Sequence, residues 1–403
     1  MRKNNVLIGV TASIAIYKAL EVISLLKKKG CSIRVAMTKE ATRFISPVVF
    51  QALTNSKVYV DVLEEFDDLS DTNITHISLA KWADVFAIVP ATSNIIAKLA
   101  NGISDDAVSL IGLATKAKKL IAPAMNSDMY LNPITISNIN RLKEYGCEFV
   151  EPIEGDLACN TKGVGHIADV CDIADKIESM LYEKPLSGKN VIVTAGPTSE
   201  AIDPVRYITN KSSGKMGYAL AKMAYNLGAN TILISGQSCL RAPYGVDFVN
   251  VESAEEMLNA LKDKIKNLDK AIVVMASAIA DFKPKNYQNK KIKKRDMTNK
   301  MVIELTENPD LTKEINRFAK DNKIELFSIG FAAETNDLIQ NATEKIKKKG
   351  LNFIVANDVS RSDIGFSSDE NEVSIIYANG KIEKLDKMKK DVVAYEILRR
   401  IET

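Results

Sequence analysis

The chain has 403 residues, 46% hydrophobic and 26% charged, which is apolar enough for about two to three packed domains of ~150 residues and too apolar for a disordered or collagen-like chain. Lys and Arg number 54 against 51 for Asp and Glu, so binding of nucleic acid through bulk charge is disfavoured. Five cysteines without a CxxC pair fit neither a disulfide framework nor a structural zinc site and suit a reducing cytoplasm. The longest apolar stretch, 271–280, is about half of the ~18–20 residues a membrane span needs.

Met1-Arg2-Lys3 and the apolar residues from Val6 imitate a signal peptide, but Gly9, Thr11 and Ser13 break the run. The segment reads instead as the first strand of a mature cytoplasmic protein. Runs at 6–10, 33–37, 85–89 and 120–122 are apolar on both faces, as buried parallel strands are. Between the first two, 14–29 has a helical pattern closed by Lys27-Lys28-Lys29-Gly30, ordinary helix-stop chemistry. This alternation predicts a doubly wound α/β sheet. The polar, turn-rich stretch 183–189 predicts a junction, giving domains 1–189 and 190–403. The same grammar then restarts: Val191-Ile-Val-Thr-Ala-Gly196 opens as Val6-Leu-Ile-Gly-Val-Thr11 does. Further strands are expected at 231–235, 271–275, 326–330 and 351–356, and a late hairpin or edge strand at 371–381, broken by Asn379-Gly380.

In the first half, Thr11-Ala-Ser13 after the first strand and Val89-Pro-Ala-Thr-Ser-Asn94 after a later one place hydroxyls at helix starts, where free amides attract anions. Two such turns would flank one crevice at the strands' carboxyl ends. No GxGxxG is present. His76, one of two histidines, sits in Asn73-Ile-Thr-His-Ile-Ser-Leu-Ala-Lys-Trp-Ala-Asp84, where a hydrogen-bonded histidine at a helix start is the plainer reading. Pro123-Ala-Met-Asn-Ser-Asp-Met129 is a polar loop suited to a ligand contact. Cys159 lies in a glycine-rich loop, 155–165, that could cover a pocket, and at neutral pH an ordinary thiol can donate a proton. The other four cysteines are expected in strands or helices, as inert packing.

The set G-x-T-x-S-I-A, N-x-x-H-I-x-L-x-x-W-A-D, P-A-M-N-x-x-M and the Cys-bearing loop resembles the flavin-dependent cysteine decarboxylases. Together with the second half, it resembles the bifunctional bacterial phosphopantothenoylcysteine decarboxylase/phosphopantothenate–cysteine ligase family of coenzyme A synthesis. The resemblance implies a flavodoxin-like first domain holding FMN at Gly9, Thr11, Ser13, Thr38, Thr92 and Ser93. Losing CO2 from an acylated cysteine leaves a carbanion without a sink, and an amide-bound amine bars pyridoxal phosphate. Oxidising the thiol to a thioaldehyde supplies that sink, with a flavin accepting and returning the hydride. As the family implies, His76 acts in oxidation and decarboxylation, Asn126 with Met125 binds the substrate and its carboxylate, and Cys159 protonates the enethiolate. The sequence departs from the pattern at Ala12 (usually Gly), Tyr130 (frequently Trp), Asn160 (typically Gly) and His166 (near a usual Arg).

In the second half, Ser212, Ser213, Gly214 and Gly217 at a helix start can face phosphate, with a plain helix cap as the alternative. Asp281 follows an apolar strand, where a carboxylate could hold magnesium; Lys291-Ile-Lys-Lys294 otherwise reads as a solvated loop. Lys345 and Lys349 share a helix face and repel unless an anion lies between them, although Glu344 and solvent could also answer. T-A-G-P-T-x-E, I-D-P-V-R-x-I-T-N-x-S-S-G-K-M-G, A-I-A-D-F, K-I-K-K, N-P-D and G-F-A-A-E-T match the ligase half of that family. The match implies a Rossmann-like domain binding CTP at Ser277, Asp281, Lys291, Pro309, Asp310, Leu311, Thr312, Phe331, Lys345 and Lys349. It implies Mg2+ at Asp281, Lys291 catalysing cytidylylation of 4'-phosphopantothenate, Asn210 steadying the acyl-cytidylate, and cysteine then displacing CMP. It also implies a homo-oligomer, with trimeric flavin domains and dimeric ligase domains, up to a dodecamer. A nicotinamide-dependent Rossmann oxidoreductase is the first alternative, against which the missing GxGxxG counts. A non-catalytic regulatory flavoprotein is the second, against which the presence of both His76 and Cys159 counts.

Overall fold

The computed structural model describes residues 4–61, 75–156, 162–293, 301–334, 338–358 and 368–401. Its contacts divide the chain into two units, Met1–Glu183 and Lys184–Thr403. The polar junction belongs to the second: Leu186 is buried and its amide donates to the Leu227 carbonyl at 3.0 Å.

In the first unit the chain runs through β1 (Asn5–Val10), α1 (Tyr17–Lys28), β2 (Ser32–Met37), α2 (Pro47–Thr54) and β3 (Val58–Tyr59). Then come α3 (Thr75–Trp82), β4 (Val85–Ala91), α4 (Ser93–Asn101), α5 (Ala107–Ala114) and β5 (Lys118–Pro123). They are followed by α6 (Ser127–Leu131), α7 (Pro133–Glu144) and β6 (Glu148–Phe149). The sheet is parallel throughout, in the order β3-β2-β1-β4-β5-β6, so the chain changes direction across it between β1 and β4. Every residue of β4 is buried, as expected for a strand covered on both faces. Helix α1 buries Ala19, Val22, Ile23 and Leu26, a stripe at helical spacing. Phe86 is fully buried, worth about 1.5–3 kcal/mol, and fits because Gly9 beside it has no side chain: a Cβ there would lie 3.1 Å from the ring. A hairpin, β7 (Ile153–Asp156) and β8 (Lys162–His166), and helix α8 (Val170–Met180) complete the unit.

The second unit repeats the plan with β9 (Asn190–Ala195), the small hairpin β10 (Ser199–Ala201) and β11 (Tyr207–Thr209), and α9 (Lys215–Asn226). Next are β12 (Asn230–Ser235), β13 (Asp247–Asn250), α10 (Ala254–Ile265) and β14 (Lys270–Met275). A second hairpin, β15 (Phe282–Pro284) and β16 (Leu305–Glu307), precedes α11 (Leu311–Asp321), β17 (Glu325–Glu334), α12 (Leu338–Lys349) and β18 (Phe353–Asp358). The chain closes with β19 (Glu370–Tyr377), β20 (Ile382–Lys389) and α13 (Lys390–Leu398). The sheet order is β13-β12-β9-β14-β17-β18-β19-β20, parallel up to β18 and antiparallel beyond, so this sheet is mixed. Asn379-Gly380 makes the expected β19–β20 turn, with Gly380 at φ 88°.

Among the described residues no helix is long and apolar enough to cross a membrane. The expectation for the cysteines is corrected. Cys31 and Cys147 are buried but precede strands, Cys239 is exposed in a bend after β12, and of these four only Cys171 is helical, and it is exposed.

Candidate functional site

In the first unit, three turns meet at the carboxyl ends of β1, β4 and β5. Thr11 donates from Oγ1 to the Pro90 carbonyl at 2.7 Å and accepts from the Thr92 amide at 3.3 Å, fastening the two turns predicted to flank the crevice. The Val89–Pro90 peptide within this motif is cis. Thr92 caps α4 through its hydroxyl, and the amides of Ser93 and Asn94 in the first turn have no acceptor within the helix. Ser13 caps the short turn that follows β1. Thr38, buried at the end of β2, accepts from the Ala41 amide at 3.3 Å. Gly9 lies inside β1 against Phe86 and Val108, so its first role is packing.

The Ala124 amide donates to the Ala91 carbonyl at 2.9 Å, which places the Met125-Asn126 loop beside the Thr92 turn. Asn126 caps α6, accepting from the Asp128 amide. Behind it the Met125 amide donates to the Gly165 carbonyl at 3.1 Å, so the base of the β7–β8 hairpin is bonded to the loop. A Cβ at Gly165 would fall 2.2 Å from the Met125 carbonyl oxygen, and one at Gly163 2.2 Å from Ser127 Oγ, so two glycines permit this approach. Tyr130, in place of a frequent Trp, donates its hydroxyl to Glu151 at 2.6 Å; burial and that carboxylate raise its pKa. His166 packs its ring against Gly155. Cys159 and Asn160 lie outside the described residues. His76 stands in the first turn of α3, its Nδ1 buried. Because α3 crosses back over ~12 Å to the amino end of β4, that turn lies toward the carboxyl ends. The Trp82 and Asp84 of the same motif serve the fold: Arg34 stacks on the indole at 4.5 Å and Asp84 accepts from the Asn5 amide.

The donors of this crevice are hydroxyls and helix-start amides, with a small residue, Ala12, between the capping positions. That set suits a phosphate monoester on a flat ring system, so the residues present fit FMN.

In the second unit a cavity of about 380 Å³ opens at the carboxyl ends of β9, β14, β17 and β18. Asn210, Ser277 and Phe331 line it, together with the 212–217 turn that leads into α9. Gly214 caps α9 at φ 77°, a conformation that favours glycine. Ser277 Oγ is 2.9 Å from Thr194 Oγ1, and Asn210 donates from Nδ2 to the Ile279 carbonyl at 2.8 Å. The sequence reading missed Lys390, which also lines the cavity and is 7% exposed. Burial pushes its ammonium below the usual lysine range; Lys215 adds to the effect and Asp369 opposes it.

The other expected nucleotide positions form a second group. Asp310 caps α11 and faces Lys349 at 3.2 Å, so this carboxylate relieves the repulsion expected around Lys349. Lys345 is partly buried on the same helix, and Pro309 adjoins Asp310. Leu311 and Thr312 are buried in the α11 packing. Asn308 ties the groups together, donating from its amide to the Asp281 carbonyl and from Nδ2 to the Ala280 carbonyl, both at 2.8 Å. The Asp281 side chain is exposed, and among the described residues no cluster of three metal-ligating side chains exists.

Lys291 is exposed and outside the cavity lining. Its segment is gripped by the I-D-P-V-R motif. Asp203, with a fully buried side chain, accepts from the amides of Val205 at 2.8 Å, Arg206 at 2.9 Å and Ile292 at 3.1 Å. Arg206 donates to the Ile292 carbonyl at 2.6 Å. Burial alone would raise the Asp203 pKa, but the three amides and Arg206 outweigh it and hold the carboxyl below its usual range.

The profile described as Flavoprotein matches residues 1–208, and that of the DNA/pantothenate metabolism flavoprotein C-terminal domain matches 186–403. The chain is similar to curated proteins named coenzyme A biosynthesis bifunctional protein CoaBC. The one from Bacillus subtilis is 44% identical over 405 residues, 100% of this chain and 97% of that protein. The one from Borreliella burgdorferi is 40% identical over 99% of each chain, and that from Escherichia coli K12 is 37% identical over 93% of this chain and 91% of its own.

Proposed function

The chain belongs to the family of bifunctional coenzyme A biosynthesis flavoproteins, which join a decarboxylase to a ligase, and from that premise we propose the chemistry of each half. Residues 1–189 bind FMN and decarboxylate 4'-phosphopantothenoylcysteine; residues 190–403 make that compound from 4'-phosphopantothenate, cysteine and CTP.

In the second half the substrate carboxylate attacks the α-phosphate of CTP and pyrophosphate leaves; the cysteine amine then attacks the acyl carbon and CMP leaves. Lys291 stabilises charge on the phosphates, and Asn210, fixed by its bond to the Ile279 carbonyl, steadies the acyl-cytidylate. Lys345, Lys349 and the 309–312 turn hold the nucleotide, with Ser277 and Phe331 at the cavity wall. A single carboxylate, Asp281, suits Mg2+, which takes its other ligands from phosphates and water.

In the first half, FMN when bound supplies a reversible two-electron acceptor for the substrate's thiol carbon. The hydroxyls of Ser13 and Ser93 and the α4 amides bind its phosphate, while Thr11, Thr38 and Thr92 hold the turns in place. Asn126 and Met125 orient the substrate and its carboxylate, His76 acts at oxidation and decarboxylation, and Cys159 returns a proton to the enethiolate carbon.

The cysteine usage supports a cytoplasmic site of action. Exposed apolar side chains on both units, among them Ile14, Tyr17 and Val48 in the first and Val205, Tyr207 and Val302 in the second, support self-association.

The observation that carries this reading is the cavity walled by Asn210, Ser277 and Phe331 at the carboxyl ends of the second sheet. The test is incubation with 4'-phosphopantothenate, cysteine and either CTP or ATP, followed by mass analysis. CTP should yield 4'-phosphopantetheine, CMP and CO2. No product with CTP, or equal yield with ATP, refutes it.

A further inference from the structure

The ligase reading requires two anionic substrates in one unit, a triphosphate and a phosphate monoester. The residues expected to hold the nucleotide, from Asp310 to Lys349, lie apart from the cavity's far wall. That wall is made by the 212–217 turn, Asn371 and Lys390. Lys211, Lys215 and Lys390 all line the cavity, and none of the described residues lining it is acidic. Lys390 is the unusual member, because a lysine 7% exposed is desolvated. It donates to the Ser368 carbonyl at 2.5 Å, which orients the ammonium but, being neutral, does not cancel its charge. The nearby carboxylate, Asp369, pairs with Lys215 at 2.6 Å, and its side chain is 85% exposed. A buried cation lining a cavity free of acids is compensated when an anion enters.

We propose that Lys390, with Lys215 and the Ser212–Ser213 hydroxyls, receives the phosphate monoester of the 4'-phosphopantothenate substrate. The monoester then sits at the α9 end of the cavity while the carboxyl end of the same molecule reaches Asn210 and Ser277. This inference rests on the ligase reading of the same cavity. Lys390 is a specificity-determining contact, discriminating a phosphorylated acid from its dephospho form.

The experiment is calorimetric titration of the full-length protein with 4'-phosphopantothenate and with pantothenate, without nucleotide, alongside steady-state ligation. The wild-type protein should prefer the phosphorylated compound by tenfold or more. Lys390→Met should weaken its binding at least tenfold, leave pantothenate binding unchanged, and raise its KM while the KM of CTP stays within twofold. Lys390→Arg should restore most of the preference. Should Lys390→Met lose its circular dichroism, Lys215→Gln, at a half-exposed position, should still weaken the phosphorylated ligand three- to tenfold.

Equal weakening of both compounds would mark a merely structural lysine, and a raised KM for CTP alone would assign this wall to the triphosphate; either overturns the proposal, as does an unchanged preference. Tight, phosphate-selective binding without any ligation would sink the ligase reading and leave this inference standing. Ligation with undiminished selectivity in Lys390→Met would do the reverse.

Discussion

Gly217 lies in the first turn of α9, where the helix touches β9. A Cβ added there would lie 2.5 Å from the Ala195 Cβ and 3.0 Å from both the Ala195 Cα and the Thr194 carbonyl oxygen. Two methyl carbons need ~3.5–4.0 Å, so in Gly217→Ala the helix must retreat by roughly 1 Å. Overpacking of this kind costs about 1–3 kcal/mol. At ~2–4 °C per kcal/mol for a unit of this size, the second unit should melt about 2–12 °C lower. The 212–214 turn is continuous with α9 and moves with it, and a ~1 Å misplacement at a reacting centre can lower the rate ~100-fold. The assay compares CTP-dependent CMP release with CO2 release from supplied 4'-phosphopantothenoylcysteine in the same preparation. Ligation should fall on the order of 100-fold while decarboxylation, which belongs to the other unit, is unchanged. Wild-type ligation with an unshifted melting curve would refute the reasoning.

His76→Asn or Cys159→Ala should abolish CO2 release while cysteine is still ligated, as followed by mass analysis of accumulated 4'-phosphopantothenoylcysteine; unchanged decarboxylation contradicts the assignment. Lys291→Gln should do the opposite, and full-rate ligation would return that lysine to a solvated loop. Asp203→Asn should slow ligation, because the Ile292 amide loses its charged acceptor, and should lower the melting temperature in a pH-dependent way. The native Asp203 pKa is depressed, so its stabilisation is present above the unfolded carboxyl value of ~3.9 and is lost as pH falls through the folded value. The melting difference between wild type and variant should therefore hold from pH 5 upward and close below about pH 4; a constant difference across that range would count against the clamp.

How legible each part was depends on the range of the interaction that makes it. The turns at Thr11 and Thr92 could be read directly, because a strand, a hydroxyl and a helix follow one another within a few residues. The hairpin at Asn379-Gly380 was plain for the same reason. What joins those turns, Thr11 to Pro90 across 79 positions, has no local signature. Asp203 is equally hidden: nothing near it in sequence announces that it holds the amide of Ile292, 89 positions away. Lys390 is harder still, since it ends Lys387-Met-Lys-Lys390, a run that looks solvated, and only the passage from β20 into α13 buries the last of these lysines. The expected repulsion at Lys349 had a local logic, but its answer, Asp310, comes from a different helix. The cysteines were misplaced because Cys31 and Cys147 are buried by tertiary cover at the edges of strands rather than by the strands themselves.

The hydroxyl of Thr11, bonded on one side to Pro90 and on the other to Thr92, closes the rim of the first crevice without help from a guest. A receptor assembled in advance has little ordering left to do on association, and each long side chain spared from freezing is worth about 0.5–1.5 kcal/mol. That saving appears mainly as slow departure. The prosthetic group should therefore survive prolonged dialysis in the native chain and leak away once this single oxygen is replaced by a methyl, as in Thr11→Val.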